Sequence, residues 1–593
     1  MFLELSLSNY NSFLRDYLRA PKLSCDTETT GLEIHKEDHL FCAVVSNGDT
    51  VFYVSRENLH LLKPLFDRKD VLWFFHNAKF DLHAISREGF EIEGEIHDCQ
   101  VVARLLSNDE LKYSLEACVE RAKLPATKGD LKQYCIEHGY YENIKIPGKK
   151  KKEKRYFFNK VPRNLVFEYA CTDALVTFML GNYQLGEMSY ADKTRRVGTE
   201  PMRTVYEMEK RITKILYKME KRGIQLDVEY TKKSLEIETK KYESAASRFK
   251  ELTGVDLVDS EKCLKPIFDK EGLKYGVTEK GSPSFDNKTL KSQDSNEIVK
   301  CILEYRDAYK VANSYYSSFL YYADKNGVIH ANFKQSGTIT GRFSVTEPAL
   351  QTLKKDDSDP DDELDQETKS QVRRCFIARP GFKLFSIDFK AQEYRVMLDY
   401  SEQMDLIKQV IDGMDVHQAT ANMINQSRKK AKSINFGLLY GQGKETLAQS
   451  LNMSVEEATE LKNMYFRRLP KIREFVNGVK SRGERTGVIY NRYGRRYILK
   501  DRRFAYKLPN YVIQGSCSDH TRASMISTDL LFKDTQSYIA VQVHDELLFE
   551  LAEGDFYLLE DIKQAMIKAF PSKHLPMEVD VEYGDNWQEL SPL

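Results

Sequence analysis

Two apolar runs, each interrupted by carboxylates, stand far apart in this chain of 593 residues. One is Leu384-Phe385-Ser386-Ile387-Asp388-Phe389. The other is Val541-Gln542-Val543-His544-Asp545-Glu546-Leu547-Leu548-Phe549. The first reads as a buried strand and the second as a hairpin with His-Asp-Glu at its turn. Apolar strands bury well, so an ionised carboxylate at the end of each needs a partner. Two such carboxylates from distant segments could share a pair of divalent cations. Either motif alone also fits an ordinary turn, where Asp is common. Residues 326–400 look strand-rich, 401–500 helical, and 510–593 return to a helix and the hairpin. The chain therefore reads here as a strand-rich module divided by a helical insertion.

The insertion holds a more specific pattern. Arg428, Lys432, Phe436 and Tyr440 recur at every fourth residue of the segment Arg428 to Gly441. At about 100° per residue each step drifts by about 40°, so the four form one slanted stripe on a helix. Two cations suit a triphosphate, and two aromatics suit a base or sugar face. A stripe of aromatics alone would read as core.

Residues 1 to about 190 alternate strand-like and helix-like segments, the pattern of an α/β domain. Leu23–Asp26, Phe41–Val45, Val51–Val54 and Val71–Phe75 read as strands. Tyr113–Ala122 and Leu165–Leu180 read as helices. In Cys25-Asp26-Thr27-Glu28, a strand points Asp26 and Glu28 to one face. Two like charges side by side are unfavourable unless cations hold them, and hard oxygen ligands suit Mg²⁺ or Mn²⁺. His76-Asn77-Ala78-Lys79-Phe80-Asp81 places Asn77 and Asp81 at a loop-to-helix junction, and Tyr169 and Asp173 share one helical face. Asp98 reads as structural. The lysine-rich stretch Gly148–Arg155 reads as a solvated loop, with a contact to a nucleic-acid backbone as the alternative. Further on, Val205–Arg222 reads as a helix closed by Gly223, and Ile302–Tyr322 as another.

Composition limits the classes left open. Basic and acidic side chains balance at 89 each. A nucleic-acid partner is not excluded, because binding depends on where charge sits. Basic residues concentrate in Lys149–Lys154, Arg428–Lys432 and Arg492–Arg503, and acidic ones in Asp356–Asp365. Ten cysteines with no CxxC pair argue against a zinc site or a disulfide framework and point to a reducing cytosol. The N-terminus reads as neither a signal nor a transit peptide, and no apolar run nears the ~18 residues of a membrane span.

The three N-terminal segments together resemble the DEDD exonuclease superfamily, in its tyrosine form, with the order and spacing of the proofreading domain of DNA polymerase I. The segment Arg428 to Gly441 resembles motif B of family A DNA polymerases. Asp388 to Arg395 resembles motif A, and His544-Asp545-Glu546 resembles motif C. Thr338 to Ser344 with Leu350-Gln351, the run Tyr511 to Gly515, and Glu207 to Asp227 resemble further segments of that family. The resemblance implies two metal ions at each of two sites, Mg²⁺ with Mn²⁺ as a substitute. Asp26, Glu28, Asp81 and Asp173 would bind one pair, with Tyr169 orienting water. Asp388, Asp545 and the Phe389 carbonyl would bind the other, with Glu546 in support. Arg428 and Lys432 would grip the triphosphate, with His417 nearby. Phe436 would stack near base and sugar, Tyr440 would guard the templating position, and Glu393 would exclude a ribose 2′-OH. Arg342 and Gln514 would probe the minor groove, and Gln351, His544 and Asn77 complete the DNA-contacting set.

The expected fold is an α/β, RNase H-like exonuclease domain over 1–190, joined to an α+β right-hand polymerase domain over 191–593. Within the latter, the thumb is expected at about 201–325, the palm at about 326–400 and 510–593, and the fingers at about 401–509. The expected partners are primer–template DNA and dNTPs, with helicase or primase as further candidates. The expected setting is a monomer, without membrane contact, in the cytoplasm, as the replicative enzyme of a phage or similar element. The chain is expected to lack a 5′-nuclease domain. Two departures from the family pattern stand out: Asp388-Phe389-Lys390 where the family begins Asp-Tyr-Ser, and the acidic stretch between Lys355 and Lys369. A single-subunit RNA polymerase is the main rival, opposed by Glu393 and by the proofreading segments.

Overall fold

The computed structural model describes residues 1–593 other than 126–128, 150, 196–199, 279, 354–370, 440–441 and 452, and only the backbone of 436, 438 and 439. The acidic stretch and Tyr440 lie outside the described residues. Six strands form the first sheet: β1 (Phe2–Glu4), β2 (Lys22–Thr29), β3 (Leu40–Ser46), β4 (Val51–Ser55), β5 (Leu72–Phe75) and β6 (Glu95–Asp98). Their order is β1-β4-β3-β2-β5-β6, with β3 antiparallel to both of its neighbours and the other pairs parallel. Successive side chains of a strand face opposite sides. Ala43 and Val45 accordingly join Ala78, Leu82 and Ile85 of helix α1 (Ala78–Arg87), while Cys42 and Val44 join Ala170, Cys171 and Ala174 of α2 (Arg163–Lys193). The sheet is thus covered on both faces. The strands and helices expected in this region are present; the strand at 71–75 and the helix at 113–122 are shorter than expected, spanning Leu72–Phe75 and Leu115–Arg121, and the others are longer.

Of the stretch expected as a solvated loop, the described residues of 148–152 form an open turn, while 153–155 belong to β8 (Glu153–Tyr156), which pairs with β7 (Tyr141–Ile144) in a hairpin. Its described lysines sit at the turn and on the exposed side, and they obscure the strand pattern of Tyr141, Ile144 and Tyr156.

The C-terminal unit opens with α3 (Met202–Arg222), whose Ile212, Leu216 and Met219 are buried. It ends at Gly223, where φ is 62° and a Cβ would stand 2.6 Å from the Ile329 carbonyl oxygen, so glycine is required. Strand β9 (Ile224–Leu226) follows, then α4 (Val228–Thr253), capped by the Asp227 carboxylate, and α5 (Glu297–Lys310). Phe249 of α4 and Ile302 of α5 share a core with Leu264 and Phe268 of the intervening helix Glu261–Glu271. The helix expected to run through Tyr322 changes to π geometry over Val311–Tyr316 before Ser317–Tyr322 resumes. Ala312 and Tyr316 are buried in that turn.

The second sheet contains β10 (Phe382–Phe389). The chain then runs through α6 (Gln392–Ser401), α7 (Val416–Ile424) and α8 (Arg428–Leu439) to the hairpin β11 (Val488–Tyr490) and β12 (Arg496–Ile498). Helix α9 (Leu508–Leu531) leads back to β13 (Tyr538–Val543), β14 (Glu546–Ala552), β15 (Val579–Gly584) and β16 (Ser591–Pro592). The order is β13-β14-β10-β15-β16, antiparallel throughout. Strands separated by the helical insertion are therefore neighbours, as the sequence pattern requires.

Helix α6 is locked at its C-terminal end. The Asp399 carboxylate is fully buried, pairs with Arg492, and accepts backbone N–H bonds from Lys573 (3.1 Å), His574 (2.6 Å) and Leu575 (2.9 Å). Burial alone would raise its pKa, but Arg492 and the three N–H donors outweigh burial and hold it below the usual range. Its contribution to stability is present above the ordinary Asp pKa of about 3.9 and is lost as pH falls below that value. Asp399→Asn is expected to cost about 3 kcal/mol at neutral pH and to flatten the loss of stability below about pH 4. Thermal melts of both proteins across pH check this, and parallel acid profiles would refute it.

Candidate active sites

Strand β2 carries the first site. Asp26 pairs with Val44 and Glu28 with Cys42, and both of those residues face α2. Directly paired residues share a face, so both carboxylates point toward α2 as well. The Ser24 hydroxyl donates to the Ala174 carbonyl at 2.6 Å, which fixes α2 against β2 beside Asp173. Tyr169 lies one turn earlier on the same helix.

Asp81 arrives differently. The pairing of β5 with β2 ends at Ser24 and Phe74, so the edge of β2 beyond Ser24 is open on that side. The chain turns at Asn77, in the left-handed region at φ 73°, and α1 carries Asp81 to that edge. There Thr27 donates to it through N–H (3.0 Å) and Oγ1 (2.7 Å). Burial, assisted by the Asp98 charge, pushes the Asp81 carboxyl up to about 7. Asp98 holds the turn in place by accepting from Asn77 N–H (3.1 Å) and Ala78 N–H (2.9 Å), and it also caps the helix Cys99–Leu106. Its structural reading holds. Glu28, Asp81 and Asp173 are buried. Among the described residues no group of three or more Asp, Glu, His or Cys side chains is placed to hold a metal ion. Asp26, Glu28, Asp81 and Asp173 offer only hard oxygens, the donor type that suits a divalent cation, although Asp81 is held by Thr27 on the other face of β2.

In the second site, β10 is flanked by β14 and β15, with Asp388 opposite Glu546 on one side and Asp580 on the other. The Phe389 N–H donates to the Asp545 carbonyl at 3.2 Å, which brings the two expected ligand residues together at the strand ends. His544, at φ 52°, makes the turn and is exposed. Burial raises the Asp545 pKa, with His544 and Arg342 opposing. Glu546 leans away from this pair. It accepts from Ser386 Oγ (2.8 Å) and Trp587 Nε1 (3.1 Å), with Arg373 at 3.6 Å. Gln351 donates to Gln542 Oε1 (2.9 Å), and Gln542 Nε2 donates to the His544 carbonyl (2.7 Å), so Gln351 braces the turn. Lys390, unusual by sequence, pairs with Asp580 at 2.9 Å.

Glu393 stands in the first turn of α6 and pairs with Arg342. Gln514 is half-buried on α9. One residue on, a Cβ at Gly515 would fall 1.5 Å from the Tyr497 hydroxyl, so only glycine allows α9 this approach. Arg428 reaches Asp415, the cap of α7, at 3.0 Å, and Lys432 is exposed. His417 is buried, with its Nδ1 3.0 Å from Asn435 Nδ2, and burial lowers its pKa to about 4. Phe436 lies within α8, and its side chain is outside the described residues.

Sequence reasoning missed the tie between the two units. Lys79 and His83, one turn apart on α1, both hold the buried Glu220 carboxylate of α3, His83 at 2.9 Å. It also missed a buried network of Glu209, Arg495, Asp519 and Arg522. Only the acidic and basic residues inside otherwise apolar helix faces could have signalled either.

A family model described as DNA polymerase family A matches residues 225–589, and one described as 3′-5′ exonuclease matches residues 6–184. DNA polymerase I of Chloroflexus aurantiacus is 26% identical over 97% of this chain and 62% of its own length. DNA polymerase I of Helicobacter pylori is 33% identical over 65% of this chain and 44% of its own length. The chain thus spans about half the length of these curated relatives. Among solved structures, the POL domain of Pol1 from M. smegmatis, in complex with DNA primer-template and dNTP, matches with a TM-score of 0.81 at 22% identity, covering 99% of each chain. The fold is an α/β exonuclease unit joined to an α+β right-hand polymerase unit. The chain belongs to DNA polymerase family A.

Proposed function

We propose that this chain extends a DNA primer by template-directed addition of dNMPs and trims mispaired 3′ ends at its N-terminal site. The observation that carries this reading is the bond from Phe389 N–H to the Asp545 carbonyl. It brings two carboxylates from distant segments to the same end of one sheet, beside Glu393 and Arg342.

Asp388, Asp545 and the Phe389 carbonyl would hold divalent cations there, taken as two Mg²⁺ with Mn²⁺ as a substitute. When bound, these neutralise phosphate charge and lower the pKa of the attacking hydroxyl. Glu546 stays in support, anchored by Ser386 and Trp587. Arg428 and Lys432 bind the triphosphate, and Arg428 exchanges its exposed partner Asp415 for phosphate. His417 positions α7 against α8 from beneath. Phe436 and Tyr440 follow on the same helix as base-facing residues. Gln514, Arg342, Gln351 and His544 line the path of the primer end. In-line attack of the primer 3′-OH on the α-phosphate then depends on positioning and charge stabilisation.

In the N-terminal site, Asp26, Glu28, Asp81 and Asp173 would hold the cations, Tyr169 orients water, and Asn77 meets the strand. We place the boundary between the units near residue 190, with thumb, palm and fingers at about 201–325, 326–400 with 510–593, and 401–509. The setting we propose is replicative, in a phage or similar element, with a monomer working in the host cytoplasm beside helicase or primase.

The test is nucleotide choice. The wild type is expected to extend with dNTPs and not with rNTPs. Glu393→Ala is expected to raise incorporation of rNTPs by roughly 10²-fold, because it removes a clash and an unmatched polar group. An unchanged ratio would remove Glu393 from that role, and extension with rNTPs by the wild type would point to an RNA polymerase.

A further inference from the structure

The hairpin of β7 and β8 carries exposed Lys151, Lys152 and Lys154, and its second strand continues as Arg155-Tyr156-Phe157-Phe158-Asn159-Lys160. Four rings follow one another from this hairpin to the first site. Tyr141 and Tyr156 have centroids 6.4 Å apart, Tyr156 stacks beside Phe158 at 6.4 Å with 23° between planes, and Phe158 lies 6.4 Å from Tyr169. The Lys154 ammonium lies 4.6 Å from the Tyr141 centroid, and that of Lys160 lies 4.4 Å from Phe157. Aromatic rows usually form core. Here the inner edges of Tyr156, Phe158 and Tyr169 pack on Leu131, Cys135, Val161 and Val166, yet none of the four rings is buried; Lys154 lies over Tyr141 and Lys160 over the neighbouring Phe157.

The other end of the hairpin meets the C-terminal unit. Gly148 has φ 77°, and a Cβ there would stand 3.1 Å from Ser314 Cα, inside the π-helical turn Val311–Tyr316. The hairpin therefore spans from the base of the C-terminal helices to the tyrosine of the first site.

We propose that this hairpin and the turn after it form a track for a single-stranded 3′ segment of DNA, leading from the junction at Gly148 and Ser314 to Tyr169. The inference rests on the exonuclease reading given above. Interleaved cations and partly exposed rings suit an unpaired polynucleotide, because phosphates meet the lysines and every base offers a face to a ring. A duplex keeps its bases stacked on one another and would use the lysines alone. The track ends at the residue that orients water, so a strand following it arrives with its 3′ end at the carboxylates.

The experiment compares the full chain with the double variant Lys151→Glu, Lys152→Glu, and separately with Tyr156→Ala. Two substrates are used: a labelled oligothymidylate of about 12 nucleotides and a dinucleotide too short to reach the hairpin. The expected result for each variant is a roughly tenfold higher KM for the long strand, with a shallower salt dependence for the lysine variant. Dinucleotide cleavage should not change, which also shows that the variants are folded. An equal rise in KM for both substrates, or none for the long strand, overturns the track. If the wild type cleaves neither substrate, the exonuclease reading falls by itself. The track is then decided by fluorescence anisotropy of the labelled oligonucleotide: a roughly tenfold weaker affinity of the variants supports it, and equal affinity overturns it.

Discussion

Asp388→Ala is expected to lower primer extension by roughly 10³-fold or more while leaving 3′ shortening within about twofold of wild type. Asp388 stands one residue from the end of the central strand of the C-terminal sheet, next to the backbone bond from Phe389 N–H to the Asp545 carbonyl. Of the carboxylates paired across from it, Glu546 is committed to Ser386 and Trp587 and Asp580 to Lys390, so removing the Asp388 carboxylate takes away a charge that neither supplies. A loss of several kcal/mol of charge stabilisation at the reacting phosphate converts to at least that rate factor. The substitution removes a charged group from a strand end, so the fold should survive. Retained shortening on the same protein shows that the loss is chemical. A drop of less than about tenfold would mean that Asp388 does not hold the reacting centre.

The second large effect concerns stability. Glu209 of α3 accepts from Gln335 Nε2 (2.6 Å), pairs with Arg522 (3.1 Å) and pairs with Arg495. Asp519 of α9 accepts from Arg495 Nε (2.9 Å) and from Asn491 Nδ2 (2.7 Å). Two buried acids and two buried bases thus balance where α3, the β11–β12 hairpin and α9 meet. Burial would raise the Glu209 pKa, but Arg522 and Arg495 hold it low. Glu209→Ala leaves Arg522, which has no exposed surface, with a charge it cannot solvate. The expected cost is about 3–5 kcal/mol, or a fall of about 10 °C in the melting of the C-terminal unit. The exposed pair of Lys240 and Glu236, at 72% and 67% side-chain exposure, gives the contrast. Lys240→Ala should change stability by less than about 0.5 kcal/mol. Similar melting shifts for the two variants would show that the buried network contributes no more than a surface pair.

What could be read in the sequence follows from what local spacing can carry. Asp26 with Glu28, and Tyr169 with Asp173, are local pairs, so strand and helix periods alone assign their faces. The strand Leu384–Asp388 and the turn at His544–Glu546 were legible as ends of buried strands. Their adjacency also followed, because an apolar strand split by a helical insertion must find its neighbours again. Partners set by tertiary approach were hidden. Lys390 read as an anomaly until β15 supplied Asp580 beside it. The burial of His417 between α7 and α8 was likewise not encoded in its local spacing. The lysines of residues 149–154 masked a hairpin, because charge is weighed before alternation in so short a segment. The approach of Asp81 depends on where β5 stops pairing with β2, which no periodicity encodes.

The most direct measurement follows one end-labelled primer on its template with the wild-type chain and Mg²⁺, with and without dNTPs. Growth to the template end is expected when dNTPs are present, and shortening from the 3′ end when they are absent. Shortening in both conditions with no growth would contradict the polymerase assignment, and growth with no shortening would contradict the exonuclease.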